Sequence, residues 1–181
     1  EINFEKFAIV MFHPVTTEVV EMQQYASNFV SSLLNDSHNY IVIYPNNDLG
    51  SQCIIKEYER LRSNPRFRVF PSLRFEYFLT LLKNSQFIIG NSSAGIREAP
   101  YYGIPIINIG TRQQNRAVHA DIINVDYNTE SINQALQAID SRKVQITTTD
   151  FGQGNSTTLF LNSIQNNDIW KINRQKNFRD I

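Results

Sequence analysis

The sequence predicts an α/β fold, a parallel sheet of about six strands covered by helices on both faces. Three observations carry this. Short, nearly continuous apolar runs over 6–12, 40–44, 87–90 and 104–109 suit strands buried on both faces. The stretches between them place their apolar residues on one helical face. The polar loops at His13, Asn46, Ser72, Ser92 and Arg112 all follow strands, so all five gather on one rim of the sheet. In open α/β sheets that rim is where ligands bind.

At 181 residues the chain is the size of one domain, long enough to bury about 70% of the surface its unfolded form exposes. Lys plus Arg and Asp plus Glu both number 17, so no global field draws in nucleic acid or an anionic membrane. An acidic ligand needs a local basic site. The single Cys53 excludes an internal disulfide, and its helical surroundings read as core. His13, His38 and His119 show no i, i+4 pairing, so no metal site is expected. No apolar run approaches a membrane span, and nothing resembles a signal peptide.

The first strand, 6–12, ends in His13-Pro14-Val15-Thr16-Thr17-Glu18. Pro14 biases His13 away from helix and holds its imidazole at the C-terminal end of the strand. Thr16 or Thr17 then caps a helix over 18–34, with Val19, Met22, Ala26, Phe29, Val30 and Leu33 on its inner face. The polar turn 35–39 makes His38 a solvated loop residue. The second strand, 40–44, runs into Pro45-Asn46-Asn47-Asp48-Leu49-Gly50-Ser51, followed by a helix from near Ser51 to about residue 62. Asn46 and Asp48 either make Asx turns there or face a ligand. A third strand, 66–70, ends in Pro71-Ser72-Leu73 before a helix over 74–84.

The stretch 87–116 organises the rest: a strand (87–90), a polar turn (91–95), a helix (96–102), a strand (104–109) and a basic loop (110–116). The turn offers the hydroxyls of Ser92 and Ser93, amides near Gly95 and a helix start, which together suit an anion. Glu98, one turn along, would repel a phosphate unless it faced a donor such as the diol of a ribose. An ordinary N-cap, with Glu98 compensating the helix dipole, accounts for the same residues. Neither a Walker loop nor a G-x-G-x-x-G fingerprint is present, and no cofactor is expected. Arg112 and Arg116 carry planar forks that match phosphate oxygens, although a charge pair also fits a solvated surface. Beyond them lie His119, read as structural, a strand over 122–125, a helix over 129–141, a turn at 151–154 leading a helix to about 166, and a polar tail.

The run Gly90-Asn91-Ser92-Ser93-Ala94-Gly95-Ile96-Arg97-Glu98, with Gly103-Ile104-Pro105, Asn108-Ile109-Gly110-Thr111-Arg112-Gln113 and Arg116, closely resembles UDP-N-acetylglucosamine 2-epimerases. His13-Pro14-Val15-Thr16 resembles the hydrolysing branch, where non-hydrolysing relatives carry a His-Arg-Arg-Glu type of sequence. The resemblance implies the Rossmann-like C-terminal domain of a glycosyltransferase-B-like two-domain fold, with the domain over 1–167, a tail over 168–181 and the N-terminal catalytic half absent. It implies a cytoplasmic bacterial enzyme of sialic-acid synthesis, with UDP and a UDP-N-acetylhexosamine as ligands and a homo-oligomeric parent. Nucleic acid, membrane, metal and cofactor play no part in that reading. Residue by residue, it implies His13 as a catalytic group near the phosphates or the reacting sugar. Asn46, Asp48 and Ser51 become contacts to the nucleotide-sugar or supports of its site. Ser72 and Leu73 lie against the uracil, Glu98 on the ribose, and Ser92, Ser93, Arg112 and Arg116 on the diphosphate. The turn at 151–154 departs from the family's Gly-Asp-Gly-Asn at Gln153, and Ser156 replaces the commoner Ala. The groups that work at C2 of the sugar belong to the other half, so the chain alone should bind UDP weakly and not turn over. A non-catalytic UDP-binding or regulatory module and the donor half of a glycosyltransferase are the alternatives. His13-Pro14-Val15-Thr16 and Gly110-Thr111-Arg112-Gln113 argue against the transferase.

Overall fold

The computed structural model describes residues 3–116, 122–142 and 148–171. His119 lies outside them. The chain divides into two compact units, Glu1–Thr148 and Thr149–Ile181.

In the first unit, β1 (Ala8–Met11), β2 (Tyr40–Ile43), β3 (Phe67–Phe70), β4 (Ile88–Gly90), β5 (Ile106–Ile109) and β6 (Ile122–Val125) form one sheet in the order β3-β2-β1-β4-β5-β6. Every pairing is parallel, as the double-sided apolar runs predict. This is the doubly wound order, in which the chain walks outward from β1 to β3 and then restarts at β4 on the other side of β1. Connections leave β1 and β4 toward opposite faces, and the gap between them is the switch point at which such sheets bind ligands.

The two-residue period of the strands builds two cores. Ala8, Val10, Tyr40, Val42, Ile89 and Ile107 point to the face covered by α1 (Met22–Asn35), α2 (Ser51–Tyr58) and, by its inner residues Ile132 and Leu136, α6 (Thr129–Ile139). Ile9, Ile41, Ile88 and Ile106 point to the other, where Phe78 and Leu82 of α3 (Phe75–Asn84) meet Ala94 of α4 (Ala94–Arg97) and Ala99 of α5 (Ala99–Tyr102). Burying a Leu or Phe in either core is worth about 1.5–3 kcal/mol, so one polar substitution on an inner face is severely destabilising. Cys53 packs partly buried against the first core.

Three local expectations are corrected. The first helix begins at Met22, not Glu18, because residue 18 is drawn away from it: Glu18 accepts hydrogen bonds from Thr111 Oγ1 (2.5 Å) and Tyr127 Oη (2.9 Å). Neither Thr16 nor Thr17 caps it; its N-cap residue is Glu21, with no side-chain cap. The helix expected over 96–102 is broken at Glu98 into α4 and α5. Pro100 is the cause, since it lacks an N–H and its ring would collide with the carbonyl four residues back. His38 is no solvated loop residue. Its side chain is 10% exposed and bridges Asp36 (2.7 Å) and Asp140 (2.9 Å), with Phe87 edge-on to the ring. The hydrogen bond to Asp36 leads in raising its pKa to about 9, against burial and with help from Asp140.

The second unit contains α7 (Ser156–Gln165) and a 3₁₀ turn, Asn167–Lys171, joined by Trp170 Nε1 donating to the Ile164 carbonyl at 2.9 Å. Among the described residues, no helix is long and apolar enough to cross a membrane.

Candidate functional site

The site is built outward from Gly90. Its φ of +138° is open to glycine, and a Cβ there would stand 2.0 Å from the Met11 carbonyl oxygen. That close approach lets the Asn91 N–H donate to the same oxygen at 3.0 Å. The Asn91 side chain is fully buried and pairs with the main chain of His13: Oδ1 accepts from His13 N–H at 2.7 Å and Nδ2 donates to His13 C=O at 2.9 Å. From the loop after β5, Arg112 Nη1 and Gln113 Nε2 donate to the Asn91 carbonyl at 3.1 and 2.9 Å. The loops after β1, β4 and β5 therefore meet on one buried residue.

His13 Nδ1 accepts the Asn46 N–H at 3.1 Å, which leaves Nε2 to carry the proton of a neutral imidazole. Burial, and after it the charge of Arg112, lowers the pKa of His13 to about 4, outweighing the opposing influence of Asn46 and Asp48. Asn46 Nδ2 in turn donates to Asp48 Oδ2. Burial lowers the pKa of Arg112 too, opposed by Asp48 and reinforced by Arg116. The result is a neutral donor beside a cationic fork.

On the other side of the Ser92–Ser93 turn lies a cavity of about 260 Å³. Leu73, Phe75 and Phe78 give it an apolar wall, and Ser92, Ser93 and Glu98 a polar one. Small-molecule sites span roughly 300–1,000 Å³, so this volume suits part of a nucleotide. Ser92 Oγ accepts the Ala94 N–H at 3.3 Å, leaving its own proton free to donate outward. Glu98 Oε2 is buried without a hydrogen-bond partner, and burial raises the pKa of this carboxyl. An unpartnered buried acceptor is costly, and a ligand hydroxyl would relieve it. Because α4 is only four residues long, the donors here are individual groups rather than an extended helix dipole.

The expected residues thus fall into two clusters joined by the 91–93 turn: Leu73, Ser92, Ser93 and Glu98 around the cavity, and His13, Asn46, Asp48, Arg112 and Arg116 beside it. Ser51 is the first residue of α2, 7% exposed, with its N–H on the Asp48 carbonyl at 3.0 Å. Ser72 is exposed and outside the cavity wall. Sequence reasoning passed over Asn91, Gln113 and the brace behind Arg112. In that brace Tyr127 stacks on Tyr25 at 3.8 Å and its hydroxyl accepts the Thr111 N–H at 3.3 Å. A Cβ on Gly110 would overlap the Tyr127 ring at 2.0 Å.

The sequence model described as UDP-N-acetylglucosamine 2-epimerase matches residues 1–165. A UDP-N-acetylglucosamine 2-epimerase of Neisseria meningitidis serogroup B is 46% identical over 181 residues, 98% of this chain and 48% of its own length. The polysialic acid biosynthesis protein P7 of Escherichia coli is 32% identical over 71% of this chain and 33% of its own. A hydrolysing UDP-N,N'-diacetylbacillosamine 2-epimerase of Legionella pneumophila is 28% identical over 78% and 38%. This chain spans about half or less of the length of these relatives. Among solved structures, the Neisseria meningitidis UDP-GlcNAc 2-epimerase bound to UDP-GlcNAc superposes with a TM-score of 0.71 at 16% identity, covering 91% of this chain and 46% of that one. The Staphylococcus aureus MnaA–UDP structure superposes with a TM-score of 0.70 at 17% identity, covering 96% and 48%. These two share the fold. Matched over residues 1–165 and nearly half identical to one curated relative, this chain belongs to the UDP-N-acetylglucosamine 2-epimerase family.

Proposed function

We propose that this chain is the UDP-binding half of a hydrolysing 2-epimerase, which converts a UDP-N-acetylhexosamine to the free 2-epimer sugar and UDP. The observation that carries the reading is Arg112, held on the Asn91 carbonyl beside one switch-point cavity, together with Ser92, Ser93 and the unpartnered Glu98 acceptor that line that cavity. A diphosphate needs the first three and a ribose diol the fourth.

In this reaction a base takes the proton from C2, and the C2–H electron pair forms the C1=C2 bond of a 2-acetamidoglycal. The C1–O bond breaks as UDP departs with its electrons. Water then adds across the double bond, hydroxyl at C1 and proton at C2 on the opposite face, releasing the epimer. The C2 proton is not acidic, so the rate depends on stabilising charge as it develops on the diphosphate. Arg112, with Arg116, supplies cationic donors, and Ser92 and Ser93 supply hydroxyls. His13 acts through Nε2–H as a neutral donor to a phosphate or sugar oxygen, held by Asn46 and Asp48 with Ser51 beneath their loop. Glu98 accepts from the ribose, while Leu73 covers the uracil whose edge meets the backbone at Ser72. The groups that act at C2 come from the N-terminal half. The sugar is UDP-N-acetylglucosamine or a diacetamido-trideoxy analogue, both of which occur in the names of relatives. The parent is a cytoplasmic homo-oligomer of a sialic-acid type of pathway.

Titrating this chain with UDP by calorimetry tests the reading. Weak binding that Arg112→Ala and Glu98→Ala each reduce is expected, with no N-acetylmannosamine released from UDP-N-acetylglucosamine. Binding indifferent to both substitutions, or turnover by the chain alone, would reject it.

A further inference from the structure

Asn91 makes hydrogen bonds with every polar group it has, and none of them faces the cavity. Its N–H reaches the Met11 carbonyl at 3.0 Å, its amide grips both main-chain groups of His13 at 2.7 and 2.9 Å, and its carbonyl receives Arg112 and Gln113 at 3.1 and 2.9 Å. The ladder between β1 and β4 stops at Met11 and Gly90, the point where the two chains must part toward opposite faces. Beyond it the Asn91 side chain stands in for backbone pairing and carries the tie as far as His13. Gln113 is 3% exposed and its Nε2 donates to Asn91, so this second buried amide anchors the Arg112 loop to the same residue.

We infer that Asn91 is a positioning residue for the reaction proposed above: it locks the His13 loop to the Arg112 loop across the switch point, so that imidazole and guanidinium meet one diphosphate at a fixed spacing. The inference rests on that reading for its ligand, while the tie itself is independent of any nucleotide. A fully satisfied buried amide is suited to this work, because each bond lost leaves a buried partner unpaired and the loop must move to regain water.

Two measurements separate the inference from the reading beneath it. In nucleotide-free protein, the His13 ring titration followed by proton NMR reports the surroundings of the imidazole. Asn91→Ala should move its midpoint up from about 4 toward 6.5 as the loop loosens. Gln113→Met, near in shape but without the donor, should raise it less by freeing Arg112. An unchanged midpoint in either folded variant overturns the inference, whether or not UDP binds. In the second measurement, Asn91→Ala should weaken UDP binding about tenfold in the wild-type background and less than about twofold in a His13→Ala background. Gln113→Met should likewise lose its effect once Arg112→Ala is present. Additive losses would mark Asn91 as merely structural and overturn the positioning role. Failure of the unaltered chain to bind UDP would sink the nucleotide reading alone, with the His13 titration still deciding this one.

Discussion

His13 and His38 sit at opposite ends of the same sheet, and the fold holds them in opposite states. His13 follows β1 on the C-terminal rim, where burial and Arg112 bring its pKa down to about 4. His38 precedes β2 on the N-terminal rim, where Asp36 and Asp140 bring it up to about 9. Burial disfavours the charged ring at both sites; at His13 it leads and Arg112 adds to it, whereas at His38 the hydrogen bond to Asp36 outweighs it. Under the proposed function, the first rim offers the Arg112 guanidinium and the Ser92 hydroxyl to an incoming anion. The other closes its polar groups on each other, and Arg66 completes the closure by donating to the carbonyls of Leu34 (2.9 Å), Asp36 and His38 (3.1 Å). On that proposal, the difference separates ligand binding from stability.

That division is sharpest in cross-comparison of substitutions. Arg112→Ala should weaken UDP binding by about 1.5–3 kcal/mol, the worth of a charged hydrogen bond, and leave the denaturant midpoint nearly in place. A large stability loss with unchanged affinity would break the division. His38→Ala should do the reverse, costing about 1–3 kcal/mol in chemical denaturation by unpairing buried partners while UDP titration stays within about twofold. Glu98→Gln keeps the shape but weakens the acceptor offered to the ribose; UDP affinity should fall by about 1 kcal/mol. Thymidine diphosphate, which lacks the 2′-hydroxyl, should show a smaller fall than UDP.

The pH dependence of stability differs in sign between the rims. His38 has a folded pKa raised from 6.5 to about 9, so its contribution is complete below 6.5 and is lost as pH rises through about 9. His13 has a folded pKa lowered from 6.5 to about 4, so the unfolded chain binds its proton more tightly and stability falls as pH drops from 6.5 toward 4. Denaturant midpoints across this range should lose their alkaline decline in His38→Gln and part of their acid decline in His13→Gln. Identical profiles in all three proteins would erase the contrast.

The strands were legible because residues such as Ile41, Val42, Ile88 and Ile89 are buried on both faces and allow no polar interruption. Once each polar loop was seen to follow a strand, His13, Asn46, Ser92 and Arg112 could be placed on one rim without coordinates. Pro100 was equally legible as a stop, and the helix expected through it ignored the missing N–H. Other features had no local signal. Glu18 reads as the first residue of a helix until Thr111 and Tyr127, 93 and 109 positions away, take its carboxylate. His38 reads as loop until Asp140 arrives from 102 positions away. Asn91 and Gln113 belong to no period, because a buried amide is chosen by its partners rather than by the face it occupies.

Gly110 shows how such a fold can mislead a mutational survey. With the Tyr127 ring filling the space a methyl would need, every replacement must evict an aromatic that is itself stacked on Tyr25. A saturation library scored by nucleotide capture would find this position as intolerant as any phosphate ligand, although it has no side chain to offer one. Intolerance there measures where the arginine-bearing loop is hung, and pairing each capture score with a melting temperature is what tells a lost hanger from a lost hand.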